Sequence, residues 1–442
     1  MRTITTLFLM LLLALPARAQ EAEKIAFVRD TEIETMLQNW SGPMWQAAGF
    51  NPDSIKIILM DDDNINAFTA GGQAIFVATG LLMKAERPDE IIGVMAHETG
   101  HIAGGHVLLQ KDMAKMASYQ SIAAMVLGTG LGILTGNGQA ARAVNTFGKA
   151  GAMHGYLSHS RLEESAADQA AITYLEASGT PTVGIGSFME KLEDQELLPP
   201  GQQQPYARTH PVTRDRIEAL ETRIAKSPPG REDPRQMVQL KRMQAKLLAF
   251  THPTRATIQF EHDDTAVGVM AKAIVAYRQS RVTEALNYTD QWLKLEPENP
   301  YAYELKGQIL KEAGRPGEAV PAYREALKRA PRSPLIRIDG AHSLIESHDP
   351  KKLDEAISWL NMAIEDEPRN SFAFRLLATA YGQKNMEPEA QVYLAEMALL
   401  DRQKGRAKEL MAIAWPKLSQ NSPVRRRATD LKLLLDSMPD KT

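Results

Sequence analysis

Three histidines and a glutamate stand inside the apolar, glycine-spaced run GVMAHETGHIAGGH at residues 93–106. The run is preceded by Pro88 and an acidic first turn, Asp89 and Glu90, which together mark the start of a helix. That helix is expected to continue well past His106. With 3.6 residues per turn, His97 and His101 lie one turn apart on one face and can offer two imidazole nitrogens to one ion. Glu98 is turned about 100° aside, next to the ion rather than on it. This is the geometry of H-E-x-x-H, in which two histidines hold zinc and the glutamate takes a proton from the attacking water. The plainer alternative is two satisfied histidines in a core helix. A third histidine in the pattern H-E-x-x-H-x-x-G-x-x-H would fall on Val107, one residue beyond His106. On a regular helix His106 is rotated about 140° from His101, so it is expected to be a structural residue on the helix face.

A further ligand must come from elsewhere in the chain. The segment SRLEESAADQAAITYL at 160–175 reads as a helix on which Glu164 and Asp168 share a face at i, i+4. Glu164 would complete a His2Glu site, and Asp168 would accept a hydrogen bond from a ligating imidazole and so fix its tautomer. A solvated acidic face is the alternative, since Glu163 is charged too, and spacing alone does not decide between Glu163 and Glu164.

The elements that must position these residues are legible in outline. SIKIILM at 54–60 and AIFVAT at 74–79 are β-branched runs joined by an Asp- and Gly-rich connection, which suggests a small hairpin or sheet beside the histidine helix. A free edge of it could take up an extended peptide by strand addition. Residues 121–136, SIAAMVLGTGLGILTG, form a second apolar stretch that is short for a membrane span. It reads as a lid or membrane-touching hairpin over a cleft, or as a buried helix. His154, Tyr156 and His159 are candidates to stabilise an oxyanion, and nothing in their spacing selects one.

At a larger scale, 442 residues with 44% hydrophobic content suffice for two domains with cores of their own. The balance of 51 Lys and Arg against 54 Asp and Glu leaves no global field to draw in nucleic acid. Residues 1–19 carry one positive charge, Arg2, ahead of a short apolar core, then a Pro16 break and Ala17 and Ala19 in A-x-A spacing, and are expected to be a cleaved secretory signal. With no cysteine in the chain, neither a disulfide scaffold nor a Cys-anchored lipoprotein is available. A periplasmic location follows as the expectation. LPPGQQQPYARTHP at 198–211 and SPPGREDP at 227–234 are loop-forming breaks around a short helix near Ile217 and Leu220.

From about residue 266 the pattern is helical and periodic. Pro297, Pro331 and Pro368 each close a turn, and Tyr303, Gly307, Ala319, Tyr323, Ala326 and Pro331 fall on tetratricopeptide repeat (TPR) positions, where large and small side chains alternate so that paired helices approach closely. Repeats are expected over about 266–401, with an insertion at DPKKLDEA and a closing helix through Leu410 to Trp415. Such an array does no chemistry; it offers a surface to a partner.

Taken together, HETGH, then SR followed by Glu164 and Ala167–Asp168, resembles the gluzincin metalloproteases of the HtpX and CAAX-prenyl-protease type. So do NAFTAGGQAIFVATGLL at 66–82, with Asn66–Phe68 and Gly71–Gly72, and RTHPVTRDRIEAL at 208–220. With the signal and the repeats included, the whole chain is similar to the BepA-type periplasmic TPR-containing zinc proteases. The resemblance selects Glu164 over Glu163 as the third ligand. It also implies that His210, in RTHP, is a fourth zinc ligand that keeps the resting enzyme latent; the alternative is a turn-capping histidine.

The resulting expectation is a mostly helical α+β protein: a signal at 1–19, a metalloprotease domain with a small β-sheet at 20–253, an all-α TPR solenoid at 266–415 and a tail or helix at 416–442. One zinc per chain would be held by His97, His101 and Glu164, with Glu98 as general base and then acid and Asp168 behind His97 or His101. The substrates would be misfolded or stalled envelope proteins. The partner reached by the TPRs would be the outer-membrane β-barrel assembly machinery, with peripheral membrane contact through residues 121–136. A TPR chaperone or assembly scaffold with a structural or latent metal site is the rival.

Overall fold

The computed structural model describes residues 26–70, 72–106, 161–199 and 201–438. The expected signal at 1–19, the apolar stretch at 121–136, Gly71 and the three oxyanion candidates His154, Tyr156 and His159 lie outside the described residues.

Four short strands form one mixed sheet in the order β1-β2-β4-β3: β1 (Ala26–Val28), β2 (Lys56–Asp61), β3 (Ala67–Thr69) and β4 (Ala74–Ala78). The two β-branched runs do pair, but in parallel, Ile57 facing Ile75 and Leu59 facing Val77, so they are not a hairpin. The hairpin partner of β4 is β3, three residues long and antiparallel, with Phe68 opposite Phe76. Both sheet faces are covered. Ile57, Leu59, Ile75 and Val77 point into the main core, and Ile58, Met60, Phe68 and Phe76 pack together on the other side. This is why β2 reads as an unbroken apolar run rather than an alternating one.

Helices α1 (Thr31–Ala47), α2 (Thr79–Lys84) and α3 (Pro88–Gly104) pack against the sheet, and α4 (Arg161–Ser178) and α5 (Val183–Glu190) pack on α3. α3 starts where the sequence places it, at Pro88 with Asp89 and Glu90 in the first turn. It does not continue past His106. Gly105 adopts φ 62°, ψ 22° and closes the helix at Gly104, a conformation that costs glycine little and a β-carbon much more. Helix α4 lies close on α3 because Gly100 has no side chain: a β-carbon there would stand 2.9 Å from both Cα and O of Ala167.

The chain then forms α6 (Pro205–Thr209), α7 (Arg214–Ile224), α8 (Pro234–Thr251) and α9 (Pro253–Phe260). From there it runs as helix pairs: α10 (Ala266–Arg278) with α11 (Val282–Leu295), α12 (Pro300–Glu312) with α13 (Pro316–Arg329), α14 (Pro334–Glu346) with α15 (Leu353–Asp366), and α16 (Ser371–Gln383) with α17 (Glu387–Leu400). A 3-10 turn at Pro350–Lys352 occupies the place of the expected insertion. Helices α18 (Lys404–Ala414) and α19 (Arg425–Ser437) follow. The small-residue positions are small for a packing reason, since a β-carbon at Gly307 would stand 2.7 Å from the Tyr323 ring of the paired helix.

The N-terminal and repeat regions share a core. One cluster of buried apolar side chains runs from Val28 and Trp45 through Leu247 and Phe250 into Met270, Trp292 and Ile309. Buried ions reinforce the contact. Lys246 of α8 bonds Asp30 (2.9 Å) and Glu32 (3.1 Å), Thr31 donates to Glu304 of α12 (2.7 Å), and Arg29 reaches Glu367 beyond α15 (2.6 Å).

Candidate metal centre

Four side chains from two helices and the end of a third meet in the interior. His97 and His101 come from α3, Glu164 from α4, and His210 from the residue that ends α6. All four are fully buried, and one donor atom from each lies within 4.8 Å of all the others. His97 Nε2 is 3.1 Å from His101 Nε2 and 3.4 Å from His210 Nδ1; Glu164 Oε1 is 3.0 Å from His210 Nδ1 and 3.3 Å from His101 Nε2. Tetrahedral bonds of about 2.0–2.1 Å put donor atoms about 3.3 Å apart, so the set fits a small four-coordinate cation. Charge agrees with geometry. Burial opposes ionisation of Glu164, yet His210, His101 and His97 hold its carboxyl well below the usual carboxylate range.

A second layer orients the donors. Asp168, one turn after Glu164, places Oδ1 2.9 Å from His97 Nδ1, which leaves His97 Nε2 facing the cluster. Arg216 of α7 grips Asp168 with Nε (2.8 Å) and Nη2 (2.9 Å), and its Nη1 lies 2.7 Å from Glu164 Oε2. Burial opposes ionisation of Asp168, and His97 and Arg216 lower its pKa against that. Glu163, the neighbour of Glu164, is turned away and only half-buried.

Glu98 is fully buried beside the donors without being one of them. Neither carboxylate oxygen has a hydrogen-bond partner within normal limits; His210 Nε2 is 3.4 Å away, and the backbone of Thr69 on the edge strand β3 also faces the group. Burial raises its pKa above the ordinary glutamate value. An unpartnered buried carboxylate is costly, and it sits where a proton acceptor for a water at the cluster would be needed.

Two residues at the centre were not singled out from spacing. Tyr206 stacks on His210 with centroids 4.5 Å apart and planes 26° apart, and its hydroxyl is buried without a partner. The signal for it was the i, i+4 offset from His210. Arg216 is the last of the three arginines in RTHPVTRDRI, and nothing in the spacing marks it as the clamp on both acidic groups. His106, expected on the helix face, instead folds back so that its Nδ1 is 3.2 Å from His101 Nδ1.

Residues 29–224 match Peptidase family M48, and residues 270–334 match the tetratricopeptide repeat. A protein of Vibrio cholerae named putative beta-barrel assembly-enhancing protease is 27% identical over 46% of this chain and 41% of its own length. The beta-barrel assembly-enhancing protease of Escherichia coli K12 is 24% identical over 76% of this chain and 69% of its own. Among solved structures, YrrB, described as a TPR protein with an unusual peptide-binding site, is 19% identical with a TM-score of 0.34, over 38% of this chain and 89% of its own. The chain thus joins a Peptidase family M48 region to tetratricopeptide repeats and is a homologue of the proteins named beta-barrel assembly-enhancing protease.

Proposed function

We propose that this protein is a periplasmic zinc-dependent endopeptidase that cleaves misfolded or stalled envelope proteins during outer-membrane β-barrel assembly, with its repeats recruiting substrate or partner. The observation that carries the reading is the buried His97, His101, Glu164 and His210 set with Glu98 unpartnered beside it. Three nitrogens and one carboxylate oxygen at tetrahedral spacing suit zinc better than the all-oxygen sites of calcium or magnesium. A bound zinc would polarise the scissile carbonyl and lower the pKa of the attacking water.

The chain's own residues supply the rest. His97, His101 and Glu164 would hold the ion. Glu98 takes the proton from the water and returns it to the leaving amine, and its buried, raised-pKa carboxyl is the stronger base for the first of these transfers. Asp168 and Arg216 keep His97 and Glu164 in the geometry the ion needs. The short edge strand β3 ends beside Glu98, so a peptide lying along it as an added strand would bring its backbone to the site whatever its sequence.

One observation favours the scaffold alternative: with His210 in place the protein supplies four donors, the number typical of structural zinc. On our reading His210 closes the resting site and withdraws when substrate is present. Metal analysis combined with Glu98→Gln separates the two. The endopeptidase reading expects about one zinc per chain in both proteins and loss of casein cleavage in the variant. No cleavage by either protein under conditions that free His210 would leave the scaffold, and equal cleavage by both would overturn the role given to Glu98.

A further inference from the structure

His106 has no task in the ligand set, yet its position is tightly specified. α3 closes in a reversed turn in which the Gly105 N–H donates to Ile102 O (3.2 Å) and the His106 N–H donates to His101 O (3.1 Å), the paired bonds of a Schellman closure. The reversal carries the His106 imidazole back over the last turn of the helix, with its Nδ1 3.2 Å from His101 Nδ1 and the two rings edge-on at 75°. His101 therefore has one ring nitrogen toward His97 and Glu164 and the other toward His106. Gly104 gives an independent sign that this placement is built. A β-carbon at that position would stand 2.4 Å from His106 Nε2 and 2.6 Å from its Cε1, so the space taken by the imidazole exists only because residue 104 has no side chain.

We infer that His106 is a positioning residue for the metal site, an inference that rests on the metal reading above. Its Nδ1 lone pair accepts the Nδ1–H of His101, which fixes both the ring plane and the tautomer that leaves His101 Nε2 free to bind. Asp168 has the same task for His97, so the two histidines of HETGH are held from behind by different groups. The difference has an electrostatic reason. Glu98, Glu164 and Asp168 already place three carboxyl groups around the centre, and a fourth carboxylate behind His101 would add repulsion. A neutral imidazole orients the ring without adding charge.

The experiment measures zinc release from the full-length protein into a chromogenic chelator, alongside thermal unfolding of the metal-stripped forms. His106→Leu removes the acceptor and Gly104→Ala displaces the imidazole. Both should release zinc about 10–100-fold faster than the parent, the usual size of a lost outer partner, while the metal-free proteins unfold where the metal-free parent does. Gly104 has ordinary helical backbone, so alanine should not unsettle the helix itself. His106→Asn, which keeps an acceptor, should recover part of the retention. Unchanged release in His106→Leu and Gly104→Ala overturns the inference, as does faster release matched by an equal loss of metal-free stability. A parent chain that holds no zinc overturns the metal reading itself and this inference with it.

Discussion

On the proposed function, the residue on which the resting state turns is His210. It is held by more than the donor cluster: its N–H donates to Tyr206 O (2.8 Å), its ring stacks on Tyr206, and the same short helix is tied to the loop before β3. There the Tyr206 N–H donates to Ile65 O (3.2 Å) and the Ile65 N–H to Gln204 Oε1 (2.8 Å). A peptide that displaces the loop leading into the edge strand would therefore pull on the segment that carries His210. If His210 closes the site, His210→Ala should keep its zinc, because three donors remain, and should cleave unfolded protein several-fold faster than the parent. The control is coordination number by X-ray absorption, expected to change at one light-atom position. Unchanged cleavage with unchanged coordination would leave His210 a structural residue.

At the scale of the element, what could be read in the sequence was what depends on neighbours along the chain. The start of α3, the one-turn offset of His97 and His101 and the repeat helices all follow from local spacing. The end of α3 does not, because the apolar pattern runs on beyond Gly104–Gly105 and only the left-handed conformation of Gly105 closes the helix. β2 and β4 were recognised as strands, but their parallel pairing depends on β3, a three-residue strand too short to show alternation. Arg216 reaches the centre from α7, across the Pro211–Thr213 connection from His210, where spacing along the chain carries no direction. The close fit of α4 on α3 is legible as Gly100 only once Ala167 is seen against it. Gly100→Ala tests that fit. Alanine gains about 1 kcal/mol of helix propensity over glycine, but its β-carbon meets backbone atoms of Ala167 at 2.9 Å that cannot rotate away, and overpacking of this kind costs about 1–3 kcal/mol. The net expectation is loss of stability together with weaker zinc retention, since Glu164 and Asp168 move with α4. A more stable variant with normal zinc would show that the two helices part at no cost.

For the whole molecule, the repeats are not a detachable tail. Met270, Trp292 and Ile309 share a core with the sheet and α1, and the contact between Arg29 and Glu367 joins residues far apart in sequence, which no local pattern could announce. Glu304 reports on this joint. Burial against the peptidase region pushes its carboxyl from the ordinary 4.5 up to about 8; Lys246 and Thr31 pull it down, while Asp30 and Asp339 push it further up. Lys246 is already shared between Asp30 and Glu32, so little of its charge is left to hold a third carboxylate. Below pH 4.5 Glu304 is protonated whether the joint is formed or not. As pH rises toward 8 the unfolded chain gives up this proton first, so the stability that the neutral carboxyl lends is lost through that window, and above 8 the full cost is present. Glu304→Gln keeps an acceptor for Thr31 and removes the titration. Its unfolding midpoint should match the parent at pH 5 and exceed it at pH 8.5, by about 2–4 °C for each 1 kcal/mol recovered. A variant less stable than the parent at both pH values would mean that an ionised Glu304 is a net tie between the two regions, and that Lys246 has charge enough for all three carboxylates.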